Sequence, residues 1–360
     1  MKSTITRRRL VQSSAAAAVP ALPAAAAGAL GMPQEGPETP KITLFIPDVE
    51  DSTLRRVRQL GITSICMGGP PIPWQESEVR SRMDRAKAHG LNLFMMMFSG
   101  FPNAIYGRPG RDADIEKVVA SIRVAAKTGL TVMEYNFYAH RITEGYYVEQ
   151  GRGGAGLTAF DYDKVKELPP LPEEGAHTLE EMWANATYFL KAVVPEAQKS
   201  GVRLALHPND PPAPISRGSG QIMSTLEGWK RLVSIVPSPS NGITFDCGVT
   251  RELGEDPVEV CRYFGSRDTI NHVHFRNVRT RVPRLKYTEV MLDEGEVNMF
   301  AVMKELVRQK YPRLVYPEHP PLLDPDRDHP DKAVANRRYA GFSYTTGYGK
   351  AMLQAALLSH

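Results

Sequence analysis

From residue 41 onward the chain repeats one pattern eight times: a short apolar run, then a segment of helical periodicity. The apolar runs cover residues 41–47, 62–68, 91–97, 130–137, 203–208, 242–248, 270–277 and 313–319. Runs of this length without polar alternation fit strands buried on both faces of a parallel sheet. Between them, Ile115, Val118, Val119 and Ile122 form one helical stripe; Met299, Val302, Met303, Leu306 and Val307 form another. Thr178 with Glu181 makes a capping box that starts a helix. Gly61, Gly90, Gly129 and Gly201 each lead into a strand, where glycine can take the left-handed conformation that ends a helix. Eight such units predict an α/β protein, a single-domain (β/α)8 TIM barrel over residues 41–360, with an open doubly wound sheet as the alternative. No GxGxxG or GxxxxGK[ST] follows any strand, so nothing points to a nucleotide. Two strand-to-helix connections, 138–177 and 278–296, are long enough to be functional, and in a barrel they lie at the catalytic face.

The start of the chain is of another kind. Residues 1–29 hold Lys2, Arg7, Arg8 and Arg9, no acid, and an Ala-rich run. They read as a signal peptide of the twin-arginine type, which implies a periplasmic or exported protein, and residues 30–40 read as a linker. Those four basic residues account for the whole formal net charge of +4. The rest is neutral, without an electrostatic footprint for nucleic acid or an anionic membrane. Ala, Ser, Gln and Pro make a poor membrane anchor. Three cysteines imply no disulfide framework, and the sequence leaves open a homo-oligomer.

Ligand-type residues gather at the strand ends. His207 closes the fifth run, Asp246 lies near the end of the sixth, His272 and His274 near the end of the seventh, and Glu318 with His319 closes the eighth. The C-terminal ends of barrel strands converge on one mouth. A mixed set of His and carboxylates there suits Mn2+, Fe2+, Co2+ or Zn2+. Each has a plainer explanation as well: a hydrogen-bonded histidine, or Asp246 capping the following loop. Four separate strands ending this way argue for a shared metal site.

Here the sequence resembles the mannonate dehydratase family. His207-Pro208-Asn209-Asp210-Pro211-Pro212 is similar to that family's HPDDPP, and His274-Phe275-Arg276-Asn277-Val278 to its HLRNV. Leu292-Asp293-Glu294-Gly295-Glu296-Val297 with Met299 resembles LDGDVDM, and Tyr135-Asn136-Phe137 matches a YNF element. The resemblance implies a carbon–oxygen lyase of carbohydrate metabolism that dehydrates a sugar acid, D-mannonate to 2-keto-3-deoxy-D-gluconate, with a divalent metal, usually Mn2+. Carried over by position, the ligands are His207, Asp246, His274 and Glu318. The family's Cys falls on Asp246, with Cys247 next to it, and its DHGR becomes Glu318-His319-Pro320-Pro321, without the arginine. The resemblance further implies His319 as the acid–base group, with Tyr344 as its partner (Tyr339 as runner-up). Arg276 suits a grip on a carboxylate, and Asn209 and Tyr135 are expected at substrate hydroxyls.

Two rival readings share these residues. Asp246 and Glu318 also suit a xylose-isomerase-like sugar isomerase or epimerase. An exported, non-catalytic sugar-binding protein is the second.

Overall fold

The computed structural model describes residues 31–330 and 337–359. The signal-peptide reading of residues 1–29 lies outside them. Glu35–His360 form one compact unit. Within the stretch read as a linker, Glu35 is tied to the barrel, its carboxylate accepting from the Ile42 amide at 2.9 Å and the Thr63 hydroxyl at 3.3 Å.

All eight expected strands form. They are β1 (Lys41–Ile46), β2 (Ser64–Gly68), β3 (Asn92–Met97), β4 (Val132–Tyr135), β5 (Arg203–Leu206), β6 (Asn241–Asp246), β7 (Ile270–His274) and β8 (Leu314–Tyr316). They close into a barrel in sequence order, β8 pairing with β1, every pair parallel. Most strands end before their apolar runs do, the last residues turning into the loops, while β2 and β3 instead begin one or two residues late. Gly61, Gly90, Gly129 and Gly201 have φ between +67° and +84°, the conformation a side chain would oppose. Thr178 and Glu181 cap the helix Leu179–Lys199 reciprocally.

Successive strand residues face opposite sides, and this sidedness builds two cores. Met133, Leu204, Leu206, Ile243, Phe245, Val273 and Val315 point outward into the main core under the helices. There they meet Phe189, Leu190, Val193 and Val194 of the helix Leu179–Lys199. Fully burying such a side chain contributes about 1.5–3 kcal/mol. Cys66, Met95, Val132, Ala205 and Leu314 form a separate small cluster, the inward-facing plug of the barrel. One step further along the strands the inward positions are polar: Glu134, Thr244, Asp246, His272 and His274.

The two long connections pair with each other. Residues Tyr146–Gln150, Gly156–Asp161, Lys286–Val290 and Asn277–Val282 make a four-stranded antiparallel sheet, the cap sheet, and residues 138–145 lead into it as the cap loop. It packs on a small core of its own, including Ile142, Phe160, Val165 and Tyr287. Among the described residues no helix is long and apolar enough to cross a membrane, and all three cysteines are buried and free.

Candidate metal centre

The fold brings the four expected ligand residues together. Ligand atoms of His207, Asp246, His274 and Glu318 all lie within 4.8 Å of one another. Asp246 and His274 are inward-facing ends of the paired strands β6 and β7. His207 directly follows β5, and Glu318 comes two residues after β8. His274 Nδ1 is the hub: it stands 3.0 Å from His207 Nε2, 2.9 Å from Glu318 Oε1 and 3.7 Å from Asp246 Oδ2.

The neighbours of each ring set which nitrogen faces the cluster. His207 Nδ1 is 2.7 Å from the Pro208 carbonyl, which can only accept, so that nitrogen carries the proton and Nε2 presents a lone pair. His274 Nε2 lies 3.5 Å from the Glu134 carboxylate, with its Nδ1 turned to the cluster. Glu318 Oε1 is buried, 2.9 Å from His274 Nδ1. Two imidazoles and two carboxylates turned to one point make a mixed N/O set, so the residues present fit a divalent metal. Burial opposes charge on His274, yet Glu318 and Glu134 overcome it and drive its pKa well above the imidazole range. Burial and the neighbouring His274 together push His207 down.

Asp246 and Cys247 face opposite sides. Cys247 opens the helix Cys247–Glu252 and packs in the main core. Asp246 serves twice. Its Oδ1 accepts from the Val249 amide at 2.7 Å, capping that helix, while Oδ2 faces His274.

Arg276 departs from its expected role. Its side chain is 1% exposed, with Nε 3.1 Å from Asp246 Oδ2 and 3.3 Å from Glu318 Oε1, and Nη1 2.7 Å from Glu252 Oε1. A guanidinium enclosed by the protein's own carboxylates is not open to grip a substrate; it holds the ligands from behind. Gly248 leaves it room, since a Cβ there would stand 2.7 Å from Arg276 Nη1. Burial would raise Asp246, but Arg276 outweighs it and holds this carboxyl far below its usual range.

Three further expectations are corrected. Tyr135 is the outward-facing neighbour of Glu134, stacked on Phe98 with ring centroids 5.1 Å apart in the core. Asn209 is 2% exposed and organises its own loop, donating to Gln221 Oε1 at 2.9 Å and accepting from the Met223 amide at 2.8 Å. Tyr344 donates to Asp293 Oδ1 at 2.7 Å and accepts from Arg152 Nη2 at 3.2 Å, so it ties the last helix to the cap sheet and does not line the cleft. Tyr339 lines the hollow beside His319, its hydroxyl donating to the Arg56 carbonyl at 2.9 Å.

His319 does face the cleft. Its backbone φ is +47°, a conformation non-glycine residues rarely hold and one that recurs at functional sites. Its Nδ1 lies 2.8 Å from Glu289 Oε1 of the cap sheet. Burial would lower this imidazole, but Glu289 and Glu318 lift its pKa to about 9.

The cleft has a volume of about 310 Å3 and adjoins a second hollow of about 610 Å3. Among the lining residues that sequence reasoning missed are Glu134, Asn136, Tyr138, Arg141 and Asp210. The available signal was strand alternation: Glu134 and Asn136 flank Tyr135, so both sit on the inward face. Arg141 carried no such signal, because it comes from the cap loop.

Comparison with known proteins agrees with this architecture. The Thermotoga maritima protein named mannonate dehydratase is 29% identical over 342 residues, covering 83% of this chain and 94% of that one. The Streptococcus agalactiae serotype V mannonate dehydratase is 26% identical over 309 residues, covering 79% and 88% respectively. The crystal structure of mannonate dehydratase from Streptococcus suis serotype 2 superposes with a TM-score of 0.77 at 26% identity, over 88% of this chain and 96% of that one. An L-ribulose 3-epimerase superposes with a TM-score of 0.56 at 14% identity, over 89% of this chain and 97% of that one, a likeness of fold alone. The model of the D-mannonate dehydratase (UxuA) family matches residues 172–357, which carry three of the barrel strands after β5, β5 itself and the whole four-residue cluster; on this match the chain belongs to that family.

Proposed function

We propose that this chain is a divalent-metal-dependent hydro-lyase that converts D-mannonate to 2-keto-3-deoxy-D-gluconate. One observation carries the reading: two imidazoles and two carboxylates converge within 4.8 Å at the mouth of a barrel of this family. The donor set suits Mn2+, with Fe2+ or Co2+ as alternatives. When bound by His207, Asp246, His274 and Glu318, the metal would supply Lewis-acid stabilisation of the negative charge that builds up as the proton beside the substrate carboxylate leaves. The hydroxide expelled from the next carbon needs a proton. His319 provides it: Glu289 holds the ring, and a pKa of about 9 keeps it protonated at neutral pH. Positioned acid–base groups of this kind contribute roughly 10²–10⁴-fold. Arg276 keeps Asp246 ionised and stands 3.3 Å from Glu318 Oε1.

The test is chemical. Chelator-treated protein should form no 2-keto-3-deoxy acid from D-mannonate, and Mn2+ should restore it, while H274A and E318Q should bind less metal. Interconversion of ketoses without a keto-deoxy product would replace this reading with the isomerase one. Tight metal-dependent sugar binding without turnover would favour the non-catalytic one. We also propose, from residues 1–29, export by the twin-arginine route; recovery of the protein only from the cytoplasmic fraction of its native cells would refute that.

A further inference from the structure

Glu134, Asp210 and Glu318 line the cleft, so an anion held beside the metal is best placed against a wall residue with a free positive edge. Arg276 cannot provide it, being enclosed by carboxylates, and His319 already faces Glu289 at 2.8 Å. Among the described residues Arg141 is the only arginine or lysine that lines the cleft, and it lines the adjoining hollow too. It is held from one side only. Nε donates to the Asp210 carbonyl at 3.1 Å, and Nη2 stands 3.5 Å from Asp210 Oδ2. Asp210 is itself immobilised, 2% exposed in its side chain, with Tyr146 and Tyr287 hydroxyls each donating to Oδ1 at 3.0 Å. Tyr146 also stands beside the guanidinium, and the side chain is 45% exposed. The guanidinium is therefore anchored on its Asp210 side while nearly half of the side chain stays open.

We propose that Arg141 is the carboxylate anchor of this site, binding the acid end of an open-chain sugar acid through its free N–H edge. The inference rests on the sugar-acid reading above and adds what selects an aldonate over the corresponding alditol. A planar fork facing a carboxylate makes paired, charge-assisted hydrogen bonds, which a point charge does not reproduce. It also reassigns the role that sequence reasoning gave to Arg276, on a residue from a different element.

The experiment uses the full chain, Mn2+-loaded, as wild type, R141A and R141K, with D-mannonate and its uncharged analogue D-mannitol as calorimetric ligands. Wild type should bind the aldonate more tightly than the alditol. R141A should lose about 10- to 100-fold in aldonate affinity, the range of charged hydrogen bonds at tenfold per 1.4 kcal/mol, with alditol affinity unchanged. R141K should recover part of the loss, and all three should melt alike. Equal loss for both ligands, an aldonate loss under threefold in R141A, or a wild type that does not prefer the aldonate would overturn the anchor. Turnover is scored separately: wild type that binds aldonates through Arg141 yet forms no keto-deoxy acid supports the anchor and counts against the lyase reading.

Discussion

Replacing Arg276 by Met tests whether the buried arginine is what permits so many carboxylates behind one site. The Met side chain has comparable length and no charge. In the native fold the guanidinium lies 3.1 Å from Asp246, 2.7 Å from Glu252 and 3.3 Å from Glu318, and is 1% exposed. Burial raises the pKa of Glu252 well above its usual range, so it can stay neutral. Asp246 and Asp210 are held low, burial being outweighed by Arg276 in both. Removing one partner of a buried ion pair typically costs about 3–5 kcal/mol, because the other charge is left uncompensated. The sign with pH follows. In wild type these depressed carboxyls contribute stability that is present above the unfolded value of about 3.9 and lost as pH falls below it. In R276M their folded pKa values rise, so they destabilise increasingly as pH climbs past the same point. The gap between wild type and R276M should therefore widen from about pH 4 to pH 7. Chemical denaturation of the metal-free proteins across that range measures it, with R276K, which keeps the charge but not the fork, falling between them. A gap below about 1 kcal/mol at pH 7, or one that does not change with pH, would refute the idea that Arg276 compensates these carboxylates.

Two further outcomes are expected. E289Q removes the negative partner that raises His319, so the alkaline limb of the kcat/KM profile should move to lower pH; an unmoved limb would detach Glu289 from the acid. F189A empties a fully buried ring stacked on Phe101 at 5.1 Å and should cost about 3–5 kcal/mol by denaturant titration, leaving activity per folded molecule unchanged.

The barrel was legible because every strand is a continuous apolar run and several helix ends carry a glycine that φ requires. The four-residue cluster was legible for a related reason. His207, Asp246, His274 and Glu318 are the residues where those runs turn polar, and closure of the barrel brings strand ends together whatever lies between them. Errors arose where a single residue step reverses the facing: Tyr135 packs outward and Glu134 inward, and Asn209 bonds within its loop while Asp210 reaches Arg141.

Local sequence thus determined the number of strands, their order and the chemical type of residue at each tip, since periodicity and polarity act over a few neighbours. The tertiary structure alone decided who meets whom across the cleft. Glu289 reaches His319, Asp293 takes the Tyr344 hydroxyl, and Arg141 is left with an open edge, because two loops more than a hundred residues apart pair into one sheet. Such pairing depends on closing long loops against a shared core, and no short window of sequence records it.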